Sequence, residues 1–524
     1  MDVKEILEKN NQMLMVQLEQ ANKRNEQSEK LNKQLQHEVS YLTELIKEMN
    51  RRMFGRSKES SSETIDGQLS LFEEESIPAA HEELVESTEV VAHRRKKKGA
   101  KAAILASLPG VNVEHELSES ERVCDHCGGS MVDMGSKEIR IEAEFLQAKI
   151  QKLIHRQHSY VCKDCERHGE TSIKKATVPK ALIPNSLGSA SVVTETIIQK
   201  FQQKVPAYRQ EKFWANHQLP ISRDNICNWH IIASQQVLQP LFTLLQKELV
   251  KQEVLHADET SYTVIQSEKA KTYYWMFCSG NFEERQIVLY HHAESRGHEI
   301  PEKFLEGYSG YLHCDGWGAY PLVPDITLMA CGAHIRRKFY EALGNKKQPN
   351  KTSPAYKGLK FWDRMFKVEL TFREKKLSPS DRFKQRQLLL KPILDDFYSW
   401  IGELDALNKS KLALAVEYSA KQRENVYNII EDGRLELSNN KAERMIKELV
   451  MCRKNQLFST SLAGAYSTGV ILSIMKTAEL NGLDIQKYLN YLFVEIPNLP
   501  IMTEEFLREY LPWSQKVVEN CCKK

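Results

Sequence analysis

Two closely spaced pairs of cysteines place the strongest constraint on how this chain folds. The four residues are Cys124, Cys127, Cys162 and Cys165. Four thiolates in two C-x-x-C pairs fit the tetrahedral coordination of one Zn²⁺, with His126 and His168 as substitute ligands. Strand-like segments at 139–141, 151–154 and 159–161 predict a hairpin that brings the pairs together. A thioredoxin-type redox motif needs one C-x-x-C at a strand-to-helix turn, so a ribbon-like structural zinc module is favoured.

The composition is typical of a chain with several globular modules. It has 524 residues, 41% hydrophobic and 27% charged, and this length predicts roughly three or four modules rather than one core. No apolar run approaches the about 18 residues that a membrane span needs. The odd number of cysteines, 11, and the lack of an apolar stretch near the first residue that could serve as a signal peptide predict reduced thiols and a cytoplasmic location.

A heptad pattern runs through the beginning of the chain. Positions seven residues apart carry Leu7, Leu14, Ala21, Ser28, Leu35, Leu42 and Met49. Asn11, Asn25 and Asn32 fall at a-like positions, where buried Asn favours a two-stranded register. We therefore expect residues 1–55 to form a dimeric coiled coil, which would make the protein a homodimer or a higher oligomer. The alternative is one long helix packed on its own chain.

The net charge hides an uneven distribution of charges. The chain has 73 Lys+Arg and 70 Asp+Glu, a formal net charge of +3. An acidic linker at 56–92 is followed by a basic tract, which we define by five residues. They are Arg94, Arg95, Lys96, Lys97 and Lys98. The basic tract could neutralise DNA phosphates, or it could be a solvated linker that balances the acidic stretch.

Short apolar runs after residue 250 predict a mixed sheet. The runs lie at 254–256, 273–278, 286–290 and 310–313, with a short helix at 301–306. Asp258 and Asp315 follow the first and fourth runs, so their carboxylates converge if those strands are neighbours. Gly316 and Gly318 permit close approach of a ligand, and carboxylates at the mouth of a sheet suit Mg²⁺. Most strand-end aspartates, however, only cap turns.

A third acidic residue, Glu443, lies in a helix-compatible stretch at 439–455. Helical spacing places Lys447 and Lys454 near the face of Glu443, so one surface would offer a metal ligand beside phosphate-binding cations. Arg453 lies next to Lys454 and is a further candidate for DNA contact. Periodicity alone favours the alternative, an ordinary solvent-exposed charged helix.

Ordered blocks of residues along almost the whole chain carry a family resemblance. Besides the cysteine pairs, they lie at 51–57, 206–211, 256–260, 315–320, 331–339, 439–444, 453–458 and 464–465. In these blocks the sequence resembles the insertion-sequence 66 family of bacterial DDE transposases. The resemblance is incomplete, since Trp317 stands where Tyr is expected, Gly332 stands where Trp is expected, and residues 445–448 differ from the usual pattern.

The resemblance implies an RNase H-like catalytic domain and a DNA transposase. Asp258, Asp315 and Glu443 would be its catalytic triad and would bind two Mg²⁺ or Mn²⁺ ions. Such an enzyme cleaves the ends of an insertion sequence and transfers the strands to target DNA, so its partners are element ends and target DNA. The resemblance also implies accessory proteins of the same element as partners. A non-catalytic DNA-binding regulator and a structure-specific nuclease on the same fold are the alternative functions.

A basic segment lies between the second and third acids. Residues 336–396 carry 17 Lys+Arg against 7 Asp+Glu, an excess that predicts contact with DNA. Its aromatic residues, Trp362, Phe366, Phe372 and Phe383, are more typical of a helix core than of base stacking. His334, Arg336 and Arg337 could position a phosphate near Asp315, or they could be a structural histidine and surface arginines.

These observations predict a multidomain chain. Its parts are a coiled-coil helix at 1–55, an acidic then basic linker at 56–101, a β-rich zinc module at 102–180, a helical connector at 181–250, an α/β catalytic core at 251–335 and 431–480, a basic helical insertion at 336–430, and a helical tail at 481–524. The connector includes a helix expected after Ser222, and it fits either a helical hairpin or a helix-turn-helix DNA reader. When bound to DNA, the protein would associate with the nucleoid.

Overall fold

The computed structural model describes residues 149–161 and 173–523 except Asn345 and Lys347, together with the single residues Met15 and Ser130. The chain divides into two compact units, one formed by Met1–Glu74 with Arg156–Lys524 and the other by Glu75–His155. The four predicted zinc-binding cysteines, the acidic linker, the basic tract and, apart from Met15, the predicted coiled coil lie outside the described residues. The strands and helices of residues 159–523 all belong to the larger unit.

A small antiparallel hairpin precedes the main body of this unit. It consists of β1 (Ser159–Val161) and β2 (Ile173–Lys175), in which Tyr160 pairs with Lys174. The predicted strand at 159–161 is therefore confirmed. The predicted strand at 151–154 is wrong, because residues 149–158 have no regular secondary structure.

Four helices then lead to the main sheet. They are α1 (Ala190–Ile197), α2 (Ala207–Asn216), α3 (Arg223–Ala233) and α4 (Gln239–Leu249). The helix predicted after Ser222 is α3, and the Ser222 side chain caps it by accepting a hydrogen bond from the Asn225 backbone N–H at 3.2 Å. Single π-helical turns at Ile198–Gln202 and Ser234–Leu238 follow α1 and α3.

The main sheet has five strands. They are β3 (Val254–Tyr262), β4 (Thr272–Ser279), β5 (Val288–Ala293), β6 (Tyr311–Cys314) and β7 (Thr327–Ala330). The spatial order is β5-β4-β3-β6-β7, with β3, β4 and β5 antiparallel and with β6 and β7 parallel to β3. The predicted mixed sheet is confirmed, but β3 extends well beyond residue 256 and β7 was not predicted.

One helix connects two of the strands, and a further group of helices follows β7 in the sequence. The short helix α5 (Glu299–Phe304) precedes β6, as predicted, and α6 (Gly332–Ala342) follows β7 directly. The next five helices are α7 (Pro354–Glu374), α8 (Pro379–Leu389), α9 (Lys391–Gly402), α10 (Lys411–Lys421) and α11 (Arg423–Tyr427).

The helices α7 to α11 have an aromatic core, which agrees with the interpretation of most aromatics in the basic segment. Trp362 and Phe372 are buried, and Phe366 packs against the same core. Phe383 differs, because it is 41% exposed. The core also encloses Arg386, whose side chain is fully buried.

Five more helices complete the described part of the chain, and the first two of them pack against the sheet. They are α12 (Asn440–Gln456), α13 (Leu462–Leu480), α14 (Ile485–Glu495), α15 (Glu504–Arg508) and α16 (Gln515–Cys521). The α13 helix packs closely on β5, where the Ser473 hydroxyl accepts a hydrogen bond from Tyr290 N at 2.7 Å. Gly469 allows this approach, since a Cβ there would lie 2.5 Å from the Tyr290 carbonyl oxygen. No helix of the described part is long and apolar enough to cross a membrane.

Candidate functional site

Asp258 lies in β3, and Asp315 directly follows the neighbouring parallel strand β6. The register pairs His256 of β3 with His313 of β6, and each aspartate follows its histidine by two residues, so both lie at equivalent positions along the two strands. The two strands are neighbours, which is the condition under which the sequence predicted that the carboxylates converge. Asp258, however, lies in the middle of β3, where it pairs with Met276 of β4, and not at the strand end.

Glu443 lies in the first turn of α12, which is attached to the sheet beside Asp258. The attachment is made by Asn439, whose side-chain amide donates to the Ala257 carbonyl oxygen at 2.8 Å. The Asn439 Oδ1 atom is 2.9 Å from His256 Nδ1, and the Glu443 backbone N–H donates to the Asn439 carbonyl oxygen at 3.2 Å. Asn439 thereby fixes the start of α12 to the strand that carries Asp258.

The electrostatics show that Asp315 and Glu443 lie near enough to Asp258 to act on its pKa. Burial raises the pKa of Asp258 well above its usual range, and the nearby carboxylates of Glu259, Asp315 and Glu443 raise it further. A backbone N–H, that of Glu259, donates to Asp258 Oδ1 at 2.9 Å and opposes this effect only in part. Like charges held together away from water are unstable unless a cation joins them.

Glu443 has the environment of a metal ligand. It is 7% exposed, so the alternative of a solvent-exposed helix does not apply to this residue. Neither of its carboxylate oxygens has a hydrogen-bond partner among the described residues. A buried carboxylate without a partner is costly. Asp258, Asp315 and Glu443 supply only oxygen donors, the type that suits Mg²⁺, although their oxygens do not all lie within 4.8 Å of one another in the structure.

A fourth acid, Glu259, was missed by the sequence reasoning. Arg296 donates to Glu259 Oε1 at 2.6 Å, and the Tyr320 hydroxyl donates to Oε2 at 2.6 Å. Burial and the Asp315 carboxylate raise the pKa of Glu259, against the opposing effect of these two donors. Its position next to Asp258 was the available signal. Because Arg296 and Tyr320 already bind its two oxygens, Glu259 has a structural role beside the three acids.

Trp317 takes part in the same arrangement. The Arg296 guanidinium lies 3.6 Å from the centre of the Trp317 ring, a cation–π contact. The Trp317 backbone N–H also donates to Asp315 Oδ1 at 3.0 Å. The difference from the expected Tyr therefore places a larger ring over the arginine that pairs with Glu259.

A pair of buried histidines lies beneath the two aspartates and was also missed. The rings of His256 and His313 stack with their centres 4.2 Å apart, and His256 Nε2 is 3.3 Å from Glu436 Oε2. Burial lowers the pKa of His313 well below its usual range. The signal in the sequence was their shared spacing of two residues before each aspartate.

The structure places the predicted phosphate-binding residues in different environments. His334 Nδ1 lies 3.8 Å from Glu443 Oε1, and burial lowers the pKa of His334 although Glu443 opposes this. Arg336 pairs with Asp363 at 2.9 Å. One guanidinium nitrogen of Arg337 is buried without a partner in the described part of the chain.

The predicted basic residues of α12 also differ from one another. Arg453 donates to Thr260 Oγ1 at 3.2 Å and to the Ser261 carbonyl oxygen, so its guanidinium binds β3. Lys447 and Lys454 are exposed. A role in DNA binding stays a prediction for all six basic residues of this region. They are His334, Arg336, Arg337, Lys447, Arg453 and Lys454.

Comparison with known protein families supports a DNA-acting enzyme. A family model described as "Transposase IS66 family" matches residues 185–467, more than half of the chain and the part that carries all three acids. A model described as "zinc-finger binding domain of transposase IS66" matches residues 121–166, which include both cysteine pairs. A third, described as "Transposase C of IS166 homeodomain", matches residues 41–113.

These matches define the chain as a transposase. It belongs to the IS66 family, as the sequence blocks predicted. The zinc-finger match also supports Zn²⁺ binding by the cysteine-containing segment.

Relatives of similar length occur in Sinorhizobium fredii. The protein named "Uncharacterized protein y4hP" is 26% identical over 498 residues, covering 90% of this chain and 88% of the relative. "Uncharacterized protein y4qI" is 24% identical over 500 residues, covering 91% and 89% of the two chains. Their names state no activity, so the arrangement of residues in this chain has to carry the functional argument.

Proposed function

We propose that the protein catalyses metal-dependent cleavage and strand transfer at the ends of an insertion sequence. The observation that carries this proposal is the placement of Asp258 on β3, Asp315 directly after the neighbouring strand β6 and Glu443 in the first turn of α12, where Asp315 and Glu443 both act on the pKa of Asp258. Three antiparallel strands followed by two parallel strands, with helices on the sheet faces, agree with an RNase H-like catalytic core. The unpaired Glu443 carboxylate and the raised pKa of Asp258 support a cation between these groups.

Asp258, Asp315 and Glu443 would hold the Mg²⁺ or Mn²⁺ ions. Bound divalent cations supply activation of the attacking oxygen and neutralisation of charge at the leaving oxygen. In cleavage, water attacks the phosphorus at the element end, the P–O3′ bond breaks, and a 3′-hydroxyl is released. In strand transfer, that hydroxyl attacks a phosphorus of the target, and a target 3′-oxygen leaves. No protein nucleophile is required for either step.

The residues around the acids have supporting tasks. The hydrogen bonds of Asn439 fix the position of Glu443 relative to β3. Arg296 pairs with Glu259 and offsets part of its charge, although the Glu259 carboxylate still raises the pKa of Asp258. His334 and Arg337 lie on α6 beside Glu443, where the buried N–H of Arg337 is suited to donate to a phosphate oxygen.

The outer parts of the chain would serve DNA binding and assembly. Cys124, Cys127, Cys162 and Cys165 would hold one structural Zn²⁺, the basic tract would bind phosphates, and residues 1–55 would form a homodimer. The domain boundaries predicted from the sequence belong to the same proposal, as do cytoplasmic location, association with the nucleoid and recruitment of accessory proteins of the element.

Replacement of Asp258 by Asn tests the catalytic proposal. Purified protein is incubated with labelled element ends, a target plasmid and Mg²⁺, and cleaved and joined products are measured separately. Asp258→Asn should lose at least about a hundredfold in both products while binding of the ends is retained, because only a cation ligand is removed. Asp325→Asn makes the same chemical change at an exposed position outside the cluster, and should leave both products unchanged.

The other two candidate functions give different results in this assay. A structure-specific nuclease would produce cleaved ends without joined products. A non-catalytic regulator would bind the ends without either product in the unaltered protein. Full activity of Asp258→Asn would contradict the assignment of this residue.

A further inference from the structure

A second set of ligand atoms meets at Glu443. The Cys331 sulfur, a ring nitrogen of His334 and a Glu443 carboxylate oxygen all lie within 4.8 Å of one another. Cys331 immediately precedes α6, and His334 lies three residues later on the same helical face, opposite the first turn of α12. Within the described residues, this is the one group of three or more His, Cys, Asp or Glu ligand atoms that meets so closely.

Two of the three groups have buried atoms that lack partners. Both carboxylate oxygens of Glu443 and the Nδ1 atom of His334 are buried without a hydrogen bond to any described residue. Glu443 itself is more than nine-tenths buried. A native structure rarely leaves three such atoms unsatisfied in one place, and an ion is one of the explanations for them.

The distances agree with a small cation. Zn²⁺ has bonds of about 2.0 to 2.3 Å to nitrogen, oxygen and sulfur, so tetrahedral ligand atoms are roughly 3.4 to 3.6 Å apart. His334 Nδ1 and Glu443 Oε1 are 3.8 Å apart, close to this separation. Side-chain rotations that contract the separations by up to about 1.4 Å would bring all three atoms to it.

The surroundings of the sulfur also suit a bound thiolate. The backbone N–H of Asn439 donates to Cys331 Sγ at 3.1 Å. Burial raises the pKa of the Cys331 thiol to about 12, and the backbone N–H groups of Asn439, His334 and Ala333 act in the opposite direction. Such donors stabilise the negative sulfur of a metal–thiolate bond and fix its direction. These donors lie at the starts of α6 and α12, the two helices that carry His334 and Glu443.

We propose that Cys331, His334 and Glu443 form a binding site for one divalent cation of the zinc class, and that this cation inhibits the enzyme. Sulfur and nitrogen ligands select Zn²⁺ or Co²⁺ over Mg²⁺, which takes oxygen ligands. On binding, the Cys331 thiol releases its proton to solvent and the thiolate binds the cation. Since Glu443 serves both sites, a cation held here removes a ligand from the magnesium site; this inhibitory effect, unlike the binding, rests on the proposed catalytic function.

Binding is tested with Co²⁺ added to the full-length protein after its zinc content has been measured. The unaltered protein should bind one Co²⁺ that gives a sulfur-to-cobalt absorption band, and binding is followed by this band because the carboxylates of the magnesium site also take Co²⁺. Cys331→Ser should lose this band and bind at least about tenfold more weakly. Cys452→Ser changes another buried thiol, on the helix of Glu443 but outside the cluster, and should behave like the unaltered protein.

A second variant distinguishes the loss of the metal site from misfolding. His334→Ala should keep the sulfur band while its affinity for Co²⁺ falls at least about tenfold, and circular dichroism with retained zinc checks the fold of each variant. Unchanged Co²⁺ affinity of His334→Ala would overturn the site. So would a band that persists in Cys331→Ser, or one that is lost equally in Cys452→Ser.

Inhibition is tested by adding Zn²⁺ to the cleavage reaction at fixed Mg²⁺, with each variant compared with its own activity without zinc. The unaltered protein should be inhibited at a zinc concentration at least about tenfold lower than Cys331→Ser. Equal inhibition of both would overturn the inhibitory part of the proposal. If the unaltered protein has no Mg²⁺-dependent activity, the proposed function is wrong, and the Co²⁺ titration still decides whether the site exists.

Discussion

At the scale of single residues, the buried acids divide into those with internal partners and those without. Glu259 is paired with Arg296 and Tyr320, and Glu369 is paired with Arg382 and Arg386. Glu443 has no hydrogen-bond partner for either oxygen among the described residues, and one of its oxygens lies 3.8 Å from His334 Nδ1. A buried carboxylate with a purely structural role needs a cation or hydrogen-bond donor as its partner. An unpaired one is therefore a sign of function, and it distinguishes Glu443 from other buried acids more clearly than the sequence does.

Asp258 should reduce stability when no divalent cation is present. Its pKa is raised in the folded protein, so between the ordinary aspartate value of about 3.9 and the raised value, only the folded state holds the proton. Stability should consequently fall as the pH rises through this window. Asp258→Asn has no such proton, so without Mg²⁺ it should melt at a higher temperature than the unaltered protein near pH 8, by roughly 2 to 4 °C for each about 1 kcal/mol relieved.

Thermal melting at pH 5 and pH 8, with and without Mg²⁺, measures this effect. Mg²⁺ should stabilise the unaltered protein more than Asp258→Asn, because it replaces the missing counter-charge. Asp325→Asn again serves as the control and should follow the unaltered protein. A lower melting temperature of Asp258→Asn at pH 8 without Mg²⁺ would contradict the claim that the charge of Asp258 destabilises the fold.

At the scale of elements, the start of α6 is the place where the inserted helix α7 and the segment that leads into α12 pack together. A Cβ at Gly332 would lie 2.8 Å from the Leu437 carbonyl oxygen and would also meet the Trp362 ring. The Gly332 backbone N–H donates to the same carbonyl at 2.9 Å. The family resemblance leads one to expect Trp at 332, and in this chain the ring of Trp362 from α7 fills the space instead. The difference is therefore compensated by packing.

Arg386 of α8 should be essential for the stability of these helices. It donates to both oxygens of Glu369 and to the carbonyl oxygens of Ile429, Asp432 and Leu435. Those carbonyls belong to the segment that leads into α12. Arg386→Met should lower the free energy of unfolding by about 3 to 5 kcal/mol, because it leaves Glu369 and three carbonyls without this buried donor.

Arg382→Met is the matched control, since Arg382 lies on the same helix and pairs with the same Glu369 at 2.8 Å. Within the described part of the chain its guanidinium donates to Glu369 and to no backbone carbonyl, so its loss should cost only about 1 to 2 kcal/mol. Urea denaturation of the two variants, followed by circular dichroism, gives the difference. Equal losses would show that the carbonyl contacts of Arg386 contribute little.

Sequence reasoning located the elements better than their ends, and β3 shows why. Its second half, residues 258–262, is polar and resembles a loop when considered alone. Antiparallel pairing with β4 extends the strand to Tyr262, and this pairing is a tertiary effect that local propensity does not contain. The four residues of β7 are too few to show a period. Glu259, the stacked histidines and Asn439 could not be assigned for the same reason, because their roles depend on partners far away in the chain.

At the scale of the whole molecule, net charge gave little information about partners. The formal charge of +3 combines an acidic linker at −8, the basic tract at +5 and the basic segment at 336–396 at +10, so the rest of the chain carries a net charge of −4. In the structure some of these cations have internal partners, as Arg336 has with Asp363 and Arg386 with Glu369. Counting charges along a sequence therefore overestimates the surface that is available to DNA, and binding at different salt concentrations is the direct measurement.

The basic tract should contribute strongly to the salt dependence of DNA binding. Each phosphate neutralised by a protein cation adds about 0.9 to the slope of log K against log salt. Replacement of Arg94, Arg95, Lys96, Lys97 and Lys98 by Gln should therefore reduce the slope by up to about 4.5, while Asp258→Asn leaves it unchanged. Lys487→Gln with Lys516→Gln removes charge from the C-terminal helices as a control. If the slope stays constant in the five-residue variant, the tract only balances the acidic linker, and the DNA contacts must lie elsewhere.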